Sequence, residues 1–145
     1  MLKSDPPIIV EQELQAPVTK IWSALTELKE MKKWYFDILE DFKAEVGFKT
    51  NFDITHQGRL FPHYWEVTEV VPEQKIVVRW YFKGYEGSSN VIFEILPGEN
   101  NNLVRLTAVA TEDHPQDIPE FRRESGVGGW NFFVKERLKD YFEEK

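Results

Sequence analysis

The sequence predicts an α+β fold in which a curved antiparallel sheet of six strands wraps around a long C-terminal helix. Three observations predict this arrangement. Apolar residues recur with the helical period over residues 129–143. Five segments between residues 48 and 111 alternate apolar and polar residues, as strands with one buried face do. A sixth strand-like segment, residues 8–14, precedes them and is separated from them by two short helical patterns.

The first strand and the two short helices are set apart by their apolar spacing. Residues 8–14 alternate, and the Ala-Pro step that ends at Pro17 stops this strand and opens a helix, since proline suits a first helical turn. Apolar residues at helical spacing follow over residues 18–25. A second helical pattern over residues 26–35 carries its own apolar side. The two patterns together predict a helical corner rather than one long rod.

The five later strands are joined by short turn-like sequences. Gln57-Gly58 follows the first of them, Pro72 ends the second, and residues 97–102 form an evident hairpin loop before the last. Strands that are joined by hairpins form an antiparallel sheet, and one solvent-exposed face explains the alternation of apolar and polar residues. The predicted strands are residues 48–54, 64–71, 75–82, 91–95 and 103–111.

The C-terminal helix provides the apolar surface that the sheet must cover. Its predicted inner face consists of Trp130, Phe133, Val134, Arg137, Leu138, Tyr141 and Phe142. Upstream, the spacing of Asp117 and Glu120 resembles a capping box. Three glycines, Gly126, Gly128 and Gly129, precede the aromatic stripe, and each costs roughly 1 kcal/mol in a helix relative to alanine. We therefore expect them either to let the helix approach the sheet closely or to leave room beside it.

Composition limits the classes of function. A chain of 145 residues fits a single domain over residues 1–145, and 25 acidic against 18 basic residues give a net charge of −7. This balance disfavours nucleic acid and anionic membranes as partners. No apolar run is long enough to span a bilayer and the N-terminus lacks the apolar core of a signal peptide, so we expect a cytoplasmic protein without membrane insertion.

The residues give little sign of cofactor or metal chemistry. There is no cysteine, and the three histidines lack metal-binding spacing. A nucleophile elbow and a phosphate-binding glycine loop are both missing from the sequence. We therefore expect no cofactor and no metal.

Several segments resemble one known family in order and spacing. Glu13 to Thr26, Lys33-Trp34, the run from Val67 to Trp80, and Gly129-Trp130 leading to Leu138 resemble the START/Bet v-like (SRPBCC) helix-grip superfamily. The most similar branch is that of the activator of heat-shock-protein-90 ATPase homologue. The resemblance covers nearly the whole chain and implies a helix-grip fold with a cavity between sheet and helix. It implies binding of an apolar or amphipathic small molecule by a non-catalytic carrier, sensor or stress-related accessory protein.

The chain departs from this branch at one position of the third strand. The branch commonly has glycine two residues before the valine of that strand, where this chain has Trp65 before Val67. A tryptophan there would intrude on a neighbouring strand or on the cavity. A eukaryotic-type activator also carries a separate chaperone-binding domain, which this resemblance does not include, so co-chaperone activity is not implied.

Seven residues on the inward face are the candidate ligand-binding residues. They are Phe52, His56, Trp65, Trp80, Phe93, Trp130 and Phe133. The competing interpretation of the rings is plain core packing, and that of His56 is an exposed loop histidine. His56 and His63 flank one predicted turn, which would allow them to lie near each other across it.

Two other functions stay open at this stage. One is an enzyme of the aromatase/cyclase type that uses His56 or another inward polar group as acid or base. The other is a module that contacts a chaperone through its acidic surface. A homodimer contact is a further candidate partnership.

Overall fold

The structure, a computed structural model, describes residues 1–143. Two helices, α1 (Val18–Thr26) and α2 (Leu28–Trp34), lie between the first two strands. The six strands β1 to β6 are Ile8–Leu14, Lys49–His56, Arg59–Val71, Lys75–Phe82, Ser88–Leu96 and Asn102–Glu112. A short 3₁₀ helix, Pro119–Phe121, and a long C-terminal helix, α3, over residues 123–143 follow the last strand.

The strands form one antiparallel sheet in the order β1-β6-β5-β4-β3-β2. Consecutive strands β2 to β6 pair as hairpins, and β1 joins the free edge of β6. The ladder shifts register between Val67 and Glu69 and between Ser88 and Ser89. Such bulges bend a strand and increase its twist. They act on the central strands, where the curvature of the sheet leaves room for α3.

Helix α3 is continuous but changes its winding along its length. It is α-helical over Arg123–Trp130, π-helical over Asn131–Leu138 and α-helical again over Lys139–Glu143. Its buried residues are Trp130, Val134 and Leu138, while Phe133, Tyr141 and Phe142 are partly buried against the core. The predicted α+β arrangement, with the sheet packed on an aromatic C-terminal helix, is confirmed.

Three local expectations are wrong. The helical spacing predicts Arg137 on the inner face of α3, but Arg137 is exposed and its Nη2 donates to the carbonyl oxygen of Lys33 at 2.7 Å. The segment with Asp117 has no capping box, since Pro119–Phe121 is a 3₁₀ turn without a side-chain cap. The third strand also begins earlier than predicted, at Arg59.

The two short helices form the predicted corner. The indole Nε1 of Trp34 donates to the carbonyl oxygen of Ala24 at 2.8 Å, which ties α2 to the end of α1. Thr26 bonds back to the carbonyl oxygen of Trp22 at 2.7 Å within α1. The corner brings Tyr35 and Phe36 against α3, where both rings contact Phe133. No helix within residues 1–143 is both long enough and apolar enough to cross a membrane.

Candidate functional site

A cavity of about 200 Å³ lies between the sheet and the first part of α3. Strands β4, β5 and β6 form one wall and α3 forms the other, so the cavity occupies the place where the sheet curves around the helix. The main apolar wall residues are Trp80, Phe82, Val91, Ala108, Trp130 and Phe133. The side chains of Met1 and Ile8 close the side nearest the N-terminus.

Gly126 and Gly129 of α3 line this cavity. One of them permits close approach of the helix to the sheet, and the other has open space beside it. A Cβ on Gly126 would lie 2.9 Å from Cδ1 of Ile8, so this glycine permits close approach of helix and β1. A Cβ on Gly129 would meet nothing within 4 Å, so this glycine leaves open space beside the helix. Gly129 is itself exposed, so it lies at the edge of the cavity.

Polar side chains gather at the mouth of the cavity. His114, Glu120, Arg122 and Arg123 belong to the segment between β6 and α3 or to the first residues of α3. Nε of Arg122 donates to the carbonyl oxygen of Gln116 at 2.9 Å. These four polar residues lie at the mouth, and the inner wall is apolar. The site is therefore polar at its entrance and apolar at its inner end.

Arg123 is held against the N-terminal segment. Its Nε and Nη2 donate to the carbonyl oxygens of Pro6 and Pro7 at 3.1 and 3.0 Å. Across residues 1–143, neither Arg123 nor Arg122 forms a salt bridge with a carboxylate. The mouth therefore carries two guanidinium charges that are fixed by backbone oxygens and not neutralised by an acidic side chain.

His114 is the buried polar group of the mouth. It is 6% exposed, and its Nδ1 donates to the carbonyl oxygen of Met1 at 3.0 Å. Burial lowers the pKa of His114, and the hydrogen bond to Met1 only partly offsets this effect. The ring is therefore neutral near pH 7. Because a carbonyl oxygen only accepts, Nδ1 carries the proton and Nε2 is left as an acceptor.

The interior beside the cavity is filled by aromatic rings. Trp65 is 3% exposed and its ring centroid lies 5.0 Å from those of both Trp80 and Phe52. The void next to Trp65, Trp80 and Phe93 measures only about 10 Å³, which is at the limit for one water molecule. Nε1 of Trp65 is buried there without a hydrogen-bond partner among the described residues. Trp65 thus fills the middle of the interior.

The seven candidate residues fall into three places. Trp80, Trp130 and Phe133 line the cavity. Phe52, Trp65 and Phe93 are buried in the neighbouring aromatic cluster and are not part of the cavity wall. The side chain of His56 is 56% exposed, away from both.

His56 takes part in an ionic cluster near the mouth. Its Nδ1 lies 2.8 Å from Oε2 of Glu120, and Nη1 of Arg59 contacts both Glu120 oxygens at 3.0 and 3.1 Å. The hydrogen bond from His56 is the main cause that lowers the pKa of Glu120, and Arg59 adds to it. The register pairs His56 with Arg59 and His63 with Phe52, so the two histidines do not face each other across the turn.

The sequence pattern predicts one part of the cavity wall and does not predict the other. Phe82 shares its face of β4 with Trp80, and strand alternation predicts both rings on the inward face. His114, Arg122 and Arg123 lie in or next to an irregular connection, where no period assigns an inward face. Only the absence of a regular pattern between residues 113 and 122 could have marked this segment as a candidate mouth.

Comparisons with known proteins agree with the architecture. The model of a family described as "Activator of Hsp90 ATPase homolog 1-like protein" matches residues 15–143. Among curated proteins, no sequence matches this chain.

Three solved structures illustrate the likeness in fold. DynU16, from the dynemicin biosynthetic locus, is 24% identical with a TM-score of 0.77, over 96% of this chain and 48% of its own, so this chain spans about half of it. Protein MLL2253 from Mesorhizobium loti is 24% identical with a TM-score of 0.72, over 97% of this chain and 98% of its own. The Aha1 dimer from Colwellia psychrerythraea is 22% identical with a TM-score of 0.71, over 96% and 97%.

Proposed function

The chain belongs to the family of activator of Hsp90 ATPase homolog 1-like proteins, and we propose that it binds a small apolar or amphipathic molecule in the cavity between the sheet and α3. Membership supports a ligand-binding or accessory domain in general. The more specific role as a carrier or sensor is part of this proposal. A contact with a chaperone or with a second copy of the chain stays a prediction, as does a catalytic role.

One observation carries the proposal: an apolar cavity of about 200 Å³ remains open in an interior that is otherwise tightly filled. This cavity is open to solvent at its mouth, so its apolar wall is in contact with water. A ligand that covers the wall removes apolar surface from water, which is favourable. This gain favours a binding site.

The arrangement of the wall also favours a ligand. Small-molecule sites are concave and mostly apolar, with a few convergent polar groups that fix orientation. Here Trp80, Trp130 and Phe133 supply the apolar surface, and the polar groups gather at the mouth. His56, Phe52, Trp65 and Phe93 do not line this cavity and are left out of the proposed contact set.

Native mass spectrometry of freshly purified protein tests whether a small molecule co-purifies. A thermal-shift screen of compact metabolites and lipids then measures stabilisation. A ligand at one hundred times its Kd adds about 2.7 kcal/mol. For 145 residues this corresponds to a rise in Tm of about 9 °C.

A pair of glycine variants makes the test specific to the cavity. Gly129→Leu introduces a side chain where the cavity lies, whereas Gly128→Leu places the same side chain one residue away, on an open surface outside the cavity wall. We expect Gly129→Leu to abolish ligand stabilisation and Gly128→Leu to retain it. Equal stabilisation of both variants would contradict binding in this cavity, and a protein that arrives empty and responds to no compound would contradict binding altogether.

A further inference from the structure

Resting on the proposed function, we infer that the cavity takes a compact hydroxy acid, an organic anion whose apolar body is about the size of one aromatic ring. The ring lies inside, against Trp80, Trp130 and Phe133, and the carboxylate lies at the mouth on Arg122 and Arg123. The hydroxyl group donates to Nε2 of His114. The inference thus names both the chemical class of the ligand and its orientation.

The volume of the cavity limits the size of the ligand. An engineered apolar cavity of about 150 Å³ in another protein accommodates benzene. The cavity here, about 200 Å³, is larger by the volume of a small substituent. Because Trp65 fills the neighbouring interior, the cavity cannot extend towards the middle of the sheet without moving this ring. A fused polycyclic molecule or a long acyl chain exceeds this volume, so a large part of it would lie outside the mouth in solvent.

The inner wall favours a flat ring. Trp80 and Trp130 lie 5.5 Å apart between centroids with an angle of 59° between their planes, and Phe133 lies 6.2 Å from Trp130 at 58°. Rings at these distances pack against each other, and their tilt presents faces and edges along one continuous wall of the cavity. Aromatic pairs prefer edge-to-face or offset contacts at such distances. An aromatic guest can therefore make favourable contacts with more than one wall residue at once.

The mouth favours an anion. Among the described residues, Arg122 uses only Nε, in its contact with Gln116, so both of its terminal nitrogens remain available to a ligand. Arg123 uses Nε and Nη2, so Nη1 remains available. The one acidic side chain of the mouth, Glu120, is already engaged by Arg59 and His56. Guanidinium groups suit carboxylates because they present several donors in one plane.

His114 supplies the third point of recognition. The His114 side chain is 6% exposed and lines the cavity. Within residues 1–143, no hydrogen bond engages its Nε2. Nε2 is not among the buried polar atoms that lack a partner, so it keeps contact with solvent, and a ligand hydroxyl group can replace water as its hydrogen-bond donor. A carboxylate oxygen cannot donate, whereas a hydroxyl group on the same molecule can.

The full chain is tested with one-ring probes in titration calorimetry. The probes are a hydroxybenzoate, benzoate, benzyl alcohol and toluene, with palmitate as the size control. We expect the hydroxybenzoate to bind about tenfold or more tightly than benzoate, and benzoate about tenfold or more tightly than toluene. Palmitate is expected to bind more weakly than benzoate.

Three substitutions separate the contributions. Arg122→Gln should weaken benzoate binding about tenfold and leave benzyl alcohol unchanged. Arg79→Gln is the matched control, because the Arg79 guanidinium stacks on the Tyr81 ring at 4.8 Å and does not line the cavity. His114→Phe keeps a ring at this position and should reduce the ratio of hydroxybenzoate to benzoate affinity to about one, a readout that general destabilisation does not mimic.

The outcomes separate this inference from the proposed function. If neutral and anionic probes bind equally, or if palmitate binds most tightly, and Gly129→Leu still abolishes binding, the ligand class is wrong while the cavity function stands. If every probe fails but another molecule binds and is lost in Gly129→Leu, the ligand class is again wrong. If no compound discriminates Gly129→Leu from Gly128→Leu, both proposals fail.

Discussion

The buried imidazole of His63 makes stability depend on pH in a way that the structure quantifies. His63 is 8% exposed, and its ring centroid lies 4.9 Å from that of Phe52 and 4.7 Å from that of Phe82. Its Nδ1 donates to the carbonyl oxygen of Phe61 at 2.9 Å, which leaves Nε2 as an acceptor. Burial lowers the pKa of His63 from 6.5 to about 4.

The sign follows from which state binds protons more readily. In the unfolded chain the imidazole takes up a proton as pH falls through 6.5, whereas folded His63 stays neutral down to about 4. The unfolded state therefore binds more protons in this window, and folding stability falls with falling pH. Each unit of pKa difference is worth 1.36 kcal/mol. Between pH 7.5 and pH 5 the contribution of His63 amounts to a loss of about 2 kcal/mol, which rises to about 3 kcal/mol below pH 4.

Urea unfolding at pH 7.5 and pH 5 measures this loss. Far-UV circular dichroism is the suitable signal, since His63 lies 5.6 Å from the Trp80 ring and its protonation could alter indole fluorescence. His63→Gln and His63→Phe both remove the titrating group. Their stability at either pH will differ, but the drop from pH 7.5 to pH 5 should be about 2 kcal/mol smaller than in the unsubstituted chain for both.

The comparison isolates His63 from other titrating groups. His114 also has a lowered pKa, and it contributes to the loss in the unsubstituted chain and in both variants alike. If the free energy of unfolding falls by the same amount between pH 7.5 and pH 5 with and without His63, the ring is not held neutral by burial and the reasoning fails.

Two further pairs of variants test the packing of the helices. Gly128→Ala should raise the free energy of unfolding by about 1 kcal/mol, or Tm by about 3 °C, because the added methyl group meets nothing within 4 Å. Gly126→Ala should raise the free energy of unfolding by less, since its methyl group approaches the Ile8 side chain at 2.9 Å. An equal rise in Tm for the two variants in thermal unfolding would contradict this close approach. Trp34→Phe should cost 1–3 kcal/mol more than Trp65→Phe in urea unfolding, roughly the value of a buried hydrogen bond, because only Trp34 donates to a partner, the carbonyl oxygen of Ala24. Equal costs would indicate that the buried indole of Trp65 also has a partner.

Periodicity predicted most of the fold because it reports which side of an element is buried. The alternation through Phe52 and the four-residue spacing of Trp130, Val134 and Leu138 both follow from a single covered face. Boundaries are set by turn geometry instead. Gln57 and Gly58 have φ values of 49° and 79°, which suit a tight hairpin turn and extend the ladder to His56 and Arg59.

The cavity was harder to predict, because alternation identifies inward residues without saying which of them meet open space. Trp80 and Trp65 both point inward, yet Trp80 lines the cavity while Trp65 is packed among rings. The difference arises from volume. Trp65 fills the middle of the sheet, and the open space lies beside Gly126 and Gly129 near the start of α3.

The position of the open space in turn determines its chemistry. Because the cavity lies at the start of α3, its mouth is formed by the irregular segment that contains His114 and by the helix start at Arg122 and Arg123. A cavity in the middle of the sheet would be enclosed by aromatic and aliphatic residues alone, as the small void beside Trp65 is. The same tryptophan that reduces the volume of the site therefore confines any guest to the end of the interior where charged and hydrogen-bonding groups are available. This is why we expect a compact polar-headed ligand rather than a large apolar one.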